Sequence, residues 1–246
     1  MNLEFEIRQK DLTGDGDIPS QYKERIYNFL SGKGLIICPS DTCYSVATMC
    51  KFDDMGDTLN TILERDDMPF SVAVNDMKTI SKYVVEDNSQ VFNKLLDWFT
   101  PGPITCIGVI IRECRDFCKI IHAEKDDTVG VRIPDSKIER TIAEIANCPI
   151  TTVPVKMGKS TPIKDYNEAV CCIGKSIEEK GLTEKVKVAG IETTLSFVEK
   201  LSTVVRVDST VRELQIVRPG YISEIELNLF LRQECLDNWK IVKGVI

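Results

Sequence analysis

Two apolar runs broken by four small polar residues constrain this chain more than any other feature. Residues 34–38, Gly-Leu-Ile-Ile-Cys, read as a buried strand. Pro39-Ser40-Asp41-Thr42 interrupts it, and residues 43–50, Cys-Tyr-Ser-Val-Ala-Thr-Met-Cys, resume as a second strand. The break places hydroxyls and a carboxylate at one edge of a sheet, and such edges are where α/β proteins hold ligands. Pro39-Ser-Asp-Thr42 also reads as a strand-ending turn, with Asp41 capping backbone N–H groups.

Around this pair the pattern alternates between periods of two and of 3.6. Residues 18–31 place Ile18, Tyr22, Ile26 and Leu30 on one helical face, and Gly32 and Gly34 end that helix. A helix over 55–64 precedes a strand at 70–74, and helices at 76–83 and 89–98 lead to Thr100-Pro-Gly-Pro-Ile-Thr105, a turn that its two prolines keep from being helical. Strands at 104–111, 128–133 and 149–155 alternate with helices at 114–122 and 136–147. A helix at 165–180, strands at 186–190, 202–208 and 213–217, and a helix at 223–235 complete the order. The pair 202–208 and 213–217 reads as a hairpin. Strict βαβ alternation is absent, which predicts a mixed sheet and not a Rossmann fold.

Composition narrows the function classes. The 246 residues are 43% hydrophobic and 28% charged, which suits a globular protein able to bury a sizeable core. No G-x-G-x-x-G or G-x-x-x-x-G-K-[ST] occurs. The net charge of −7 arises in residues 1–100, with 17 acidic and 10 basic side chains, while the remainder balances; there is no basic arm to demand nucleic acid. Met1 to Gly14 shows no signal-peptide core and no run approaches the ~18 apolar residues of a membrane span, so a cytoplasmic location is expected. Cys38, Cys43, Cys50, Cys106 and Cys148 lie in apolar runs and read as reduced core thiols. Cys114, Cys118 and the single His122 do not make a zinc pattern, so no metal site is expected. Neither a His-driven acid–base scheme nor a cysteine nucleophile finds support.

Four segments in order carry a resemblance: Pro39-Ser-Asp-Thr-Cys-Tyr-Ser-Val-Ala47, Thr100-Pro-Gly-Pro-Ile-Thr105, Val129-Gly-Val-Arg-Ile-Pro134, and Ser202-Thr-Val-Val-Arg-Val-Asp208 with Leu214-Gln-Ile-Val-Arg-Pro-Gly220. Together they resemble the YrdC/YciO family, from residue 20 to 222. The resemblance implies an α/β fold, a twisted mixed sheet flanked by helices with a large concave cavity. It also implies one domain over 1–222, followed by a C-terminal helix and tail over 223–246. That helix has a broad apolar face of Ile225, Leu227, Leu229, Phe230 and Leu231, suited to packing on the core or to a dimer contact. In the YrdC branch the cavity holds ATP, bicarbonate and threonine and makes threonylcarbamoyl-AMP for tRNA modification, with Mg²⁺ sharing the phosphate charge. Binding of double-stranded RNA is a further association of the family.

Carried over residue by residue, the resemblance puts Ser40, Thr42 and Tyr44 at the amino-acid or adenylate end of the cavity. Arg132 and Arg218 become the cations for phosphate or carboxylate, and Ser202 and Thr203 the late hydroxyl pair. Each has a plainer alternative: structural ion pairs of the arginines with Asp41 or Asp208, and ordinary strand polarity for the hydroxyls. Three departures point toward the YciO branch. The K-x-R-P-x-x-K run of active members is replaced, with Ile62, Glu64 and Met68 at its cationic positions and only Arg65 basic, one place out of register. The S-A-N triad falls on Val153-Pro154-Val155, with Lys156 and Lys159 just beyond as substitute phosphate contacts or solvated lysines. The histidine of many active members is Ser136 or absent. The expectation is a divergent protein: either an ATP-dependent synthase-like enzyme or a non-catalytic nucleotide- or RNA-binding relative. An acidic run at 64–67 would weaken ATP binding, which Ile62→Lys, Glu64→Arg and Met68→Lys would restore.

Overall fold

The computed structural model describes residues 2–65, 70–80, 90–111, 128–157 and 161–244. The first half runs β1 (Glu6–Ile7), α1 (Ser20–Ser31), β2 (Leu35–Pro39), β3 (Tyr44–Met49), α2 (Asp53–Ile62), β4 (Val72–Ala73), α3 (Met77–Ile80), α4 (Val91–Phe99), β5 (Ile104–Val109) and β6 (Thr128–Arg132). The second half runs α5 (Lys137–Ala146), β7 (Ile150–Pro154), β8 (Lys156–Met157), β9 (Thr161–Pro162), α6 (Tyr166–Glu179), β10 (Val188–Ile191), β11 (Thr203–Asp208), β12 (Glu213–Arg218), α7 (Glu224–Gln233) and β13 (Lys240–Lys243).

Helix starts follow their side chains. Ser136 Oγ accepts from Glu139 N at the head of α5, Asp165 accepts from Glu168 N at the head of α6, and Ser223 and Glu226 form a reciprocal capping box on α7. These caps supply acceptors for N–H groups that have none within the helix.

Among the described residues eleven strands form one twisted sheet in the order β1-β10-β2-β3-β7-β4-β6-β5-β11-β12-β13. It is mixed: β10 and β2 are parallel, β2-β3-β7 antiparallel, β4 parallel to β6, and β5 parallel to β11. The expected hairpin is present as β11 antiparallel to β12.

Side chains alternate between two faces. One face carries Leu35, Ile37, Tyr44, Val46, Val131, Val205 and Leu214, packed with apolar residues of α2, α4, α6 and α7. The other carries Ile36, Cys38, Ala47, Met49 and Ile150 under α1 and α5. Those two helices pack against β2, β3, β4 and β7. Further along this second face, on β6-β5-β11-β12, Gly130, Ile107, Val204 and Gln215 are only half-buried. That less covered stretch adjoins the Pro39–Thr42 break.

Several expectations shift. The predicted helix at 114–122 lies outside the described residues, as does the end of the one predicted at 76–83. The C-terminal tail is not a free extension: β13 adds to the sheet beside β12. In α7 only Leu227, Phe230 and Leu231 of the expected apolar face are buried, while Ile225 and Leu229 point to solvent. The strand β1 carries too few residues for a period to register in sequence. None of the eight described cysteines is in a disulfide, and the five in apolar runs are buried. No described helix is long and apolar enough to cross a membrane.

Candidate functional site

The four sequence segments that carry the resemblance are tied together at one end of the sheet. Gly102 N donates to Ile133 O at 3.0 Å, and Thr203 N donates to Pro103 O at 3.0 Å, so the Pro101–Pro103 turn binds two other motifs through its backbone. Asp135 N donates to Asp41 Oδ2 at 3.1 Å, and Thr105 Oγ1 lies 3.3 Å from Ser202 Oγ. Gly220 closes the set by close approach: a Cβ there would sit 2.4 Å from Leu201 O and 2.5 Å from Thr203 N. Only a residue without a side chain fits that crossing.

At the centre, Arg132 at the end of β6 pairs with Asp41 in the β2–β3 turn, and Nη2 also donates to Ser40 Oγ at 3.2 Å. Arg132 is 5% exposed. Burial pushes the Asp41 carboxyl up, but the guanidinium beside it outweighs this and holds it below the usual carboxylate range. The structural alternative named for Arg132 in the sequence is therefore the observed state. Within electrostatic reach of the pair, Glu139 of α5 is fully buried and accepts from Thr152 Oγ1 at 2.6 Å.

Several nominated residues hold the architecture. Tyr44 donates through its hydroxyl to Thr193 O at 3.2 Å and accepts from Thr193 N at 3.0 Å. Phe197 meets the Tyr44 ring edge-on at 5.3 Å, and Val198 N donates to Asp41 O. The segment 192–202 thus lies along the Pro39–Tyr44 edge, a contact that sequence reasoning missed because no periodic signal marks it. Thr203 Oγ1 donates to Ile222 O at 2.7 Å. Thr42, nearly fully buried, points its hydroxyl at Cys43 Sγ, 3.7 Å away.

The cations behave differently. Arg218, half-buried at the end of β12, donates from Nη2 to the carbonyl and hydroxyl oxygens of Ser202, both at 2.8 Å. Arg65 lies with its guanidinium 4.6 Å from the centre of the Phe70 ring. Lys156 stands exposed where β8 begins. Burial and then the charges of Arg132 and Arg65 lower the Arg218 pKa; burial and then Arg218 and Arg65 lower that of Lys156. The three therefore lie within electrostatic reach of one another, and Arg132 within reach of Arg218. Among the described residues no carboxylate pairs with Arg65, Lys156 or Arg218. A cluster of like charges without counter-ions among the described residues suits a multiply charged anion.

The altered run before β4 also differs from expectation. Ile62 is 2% exposed and belongs to the core, so it does not stand at the site. Glu64 is turned to solvent, where it pairs with Lys180, the residue that caps the end of α6, at 3.0 Å. Asp66, Asp67, Met68 and Lys159 lie outside the described residues. Val153 and Val155, at the expected polar triad, are core residues. Among the described residues no group of histidine, cysteine and carboxylate side chains could hold a metal ion.

An eleven-stranded mixed sheet with helices on both faces and these motifs bound at one end defines a YrdC-like α/β protein. The chain belongs to the Sua5/YciO/YrdC family, whose model, described as "Telomere recombination", matches residues 28–220. It is similar to the YciO protein of Escherichia coli K12, 25% identical over 128 residues, which are 50% of this chain and 58% of that protein. Among solved structures it resembles Pyrococcus abyssi Sua5 in complex with L-threonine, at TM-score 0.73 and 16% identity. That match covers 96% of this chain and 62% of Sua5, so the chain spans under two thirds of that relative. E. coli YciO matches at TM-score 0.66 and 21% identity over 90% of this chain and 98% of its own. These structural likenesses show the fold.

Proposed function

We propose that this protein binds a nucleotide polyphosphate through Arg65, Lys156 and Arg218. Its chemical setting is that of the family, threonylcarbamoyl-AMP synthesis from threonine, bicarbonate and ATP for tRNA modification. The observation that carries the reading is the gathering of three cations, without carboxylate partners among the described residues, beside four mutually bound motifs. In this chemistry the threonine amine takes up bicarbonate as a carbamate with loss of water. A carbamate oxygen attacks the α-phosphorus of ATP, the bond to the β-phosphate oxygen breaks, and pyrophosphate leaves. The protein's part is positioning and charge stabilisation, with no covalent nucleophile. Arg218, braced on Ser202, and Lys156 would face the phosphate oxygens; Mg²⁺ would enter as part of the ATP substrate. The L-threonine complex of P. abyssi Sua5 supports testing threonine as the second substrate.

A second reading is binding without turnover, of a nucleotide or of double-stranded RNA. It is favoured by the core positions of Ile62, Val153 and Val155 and by the engagement of Arg132 with Asp41, which leave fewer polar groups for reactants. Isothermal calorimetry with Mg²⁺-ATP, alone and with threonine and bicarbonate, together with pyrophosphate detection, separates the readings. Threonine-dependent pyrophosphate release establishes the synthase. ATP binding without release establishes the second reading, and absence of ATP binding refutes the proposal.

A further inference from the structure

The motif network contains two buried acids and one buried base. Arg132 neutralises Asp41, with which it is paired. Glu139 is the second acid, and among the described residues it forms no ion pair of its own. Its Oε1 accepts from Thr152 Oγ1, while its Oε2 has no hydrogen-bond partner among the described residues, the nearby Ser40 hydroxyl donating to Asp41 Oδ1 instead; Arg132 Nε also has none among them. Arg132 and Glu139 are each more than nine-tenths buried. A second carboxylate charge in such a place is costly, and a buried acid without a counter-ion binds a proton instead.

We propose that Glu139 is a buried proton-binding residue whose occupancy sets the net charge of the buried Glu139–Asp41–Arg132 trio, and through it the anion affinity of the Arg65–Lys156–Arg218 cluster. The groups around Glu139 come from each element packed on α5 and from the neighbouring β6 and β2–β3 turn. Arg132 comes from β6, Ser40, Asp41 and Cys43 from the β2–β3 turn, Cys38 from β2 and Thr152 from β7, while α1 contributes the apolar Ile26 and Leu30 and β4 the apolar Ala73. Burial is the main cause that raises the Glu139 pKa above the usual carboxylate range; Arg132 opposes the rise and Asp41 adds to it. Burial likewise raises both thiols, so they remain neutral. With Glu139 protonated the trio is neutral, and with Glu139 ionised it carries one negative charge. That charge acts on Arg132, which acts on Arg218.

The anion part rests on the proposed reading of the cation cluster; the proton part does not. Two measurements on the full chain keep them apart. The first is an NMR titration of ¹³C-labelled glutamate carboxyl carbons. One resonance should titrate well above the ordinary Glu value of about 4.3, and it should be missing from Glu139→Gln. If every glutamate titrates in the ordinary range, Glu139 is no proton site. The second is sulfate affinity by calorimetry at pH values on either side of the midpoint of that resonance, where sulfate keeps a constant charge. Wild type should bind sulfate roughly three- to ten-fold more weakly once Glu139 ionises, and Glu139→Gln should lack that step. A step of equal size in Glu139→Gln overturns the coupling, as does a pH-independent affinity or absence of binding in wild type. Should Glu139→Gln fail to fold, Thr152→Val serves instead. Loss of the Thr152 hydroxyl donor should move the same resonance and the same step together to higher pH, and movement of only one overturns the link.

Discussion

The guanidinium of Arg132 lies against the carboxylate of Asp41 with neither side chain open to solvent, which joins the end of β6 to the turn between β2 and β3. Removing one partner strands the other as a buried charge. Asp41→Ala should therefore lower stability by about 3–5 kcal/mol, read as the shift in urea-unfolding free energy at constant slope. Replacing both residues by apolar ones of similar size should cost less than Asp41→Ala alone. A single variant as stable as wild type would show that Arg132 does not depend on this contact.

The same network should narrow the pH range of stability from both sides. Asp41 is held below the ordinary carboxylate range, so its contribution is present above that range and is lost as pH falls through its folded value. Glu139 is raised, so its contribution is present below the ordinary range and is lost as pH rises through its folded value. Urea unfolding across pH should show both limbs in wild type, with the upper limb flattened in Glu139→Gln. An unchanged upper limb would mean that another group governs it.

Lys156 and Arg218 differ from Arg132 in having no carboxylate partner among the described residues. Lys156→Gln should weaken Mg²⁺-ATP binding about five- to ten-fold and make its salt dependence shallower, while leaving the unfolding midpoint within experimental error because Lys156 is exposed. Arg218→Gln should weaken binding at least as much. ATP affinity identical to wild type in both variants would remove the cluster from the binding site.

Gly220 passes so near the backbone of residues 201–203 that a Cβ would meet Leu201 O, Thr203 N and Ser202 C at 2.4–2.6 Å. Backbone cannot step aside as a flexible side chain can. Gly220→Ala should cost about 1–3 kcal/mol or more and loosen the seat of Arg218 two residues earlier. Unaltered stability together with unaltered ATP affinity would contradict this account.

Ile62 sits in the core, so restoring the family's cationic run there should not rebuild a phosphate site. Ile62→Lys should destabilise by several kcal/mol, as expected for an ammonium moved into apolar surroundings, without tightening ATP binding. A stable Ile62→Lys variant with improved ATP affinity would restore the electrostatic explanation that the sequence suggested.

Most secondary structure could be read directly from the chain. The apolar periods of residues 18–31 and 165–180, the paired strands around Pro39–Thr42, and the hairpin at 202–217 all register locally, because side-chain burial repeats with the backbone. The Pro39–Thr42 break, too, marked a polar edge of the sheet. What sequence could not supply was partnership across distance. Whether Arg132 faced a ligand or Asp41, whether Ile62 lined the site or the core, and whether Tyr44 met a substrate or the backbone of Thr193 are choices between groups far apart in the chain. Each depends on strand order and on which face a side chain takes, and a one-residue shift in register reverses the face. β1 and β13 were hidden for the same reason: their pairing is set by neighbours from elsewhere in the chain. The sequence by itself thus determined the elements, the family likeness and the polar edge. The tertiary structure decided which charges neutralise one another and which stand without a carboxylate partner among the described residues, because burial and pairing belong to the assembled sheet and not to any segment of it.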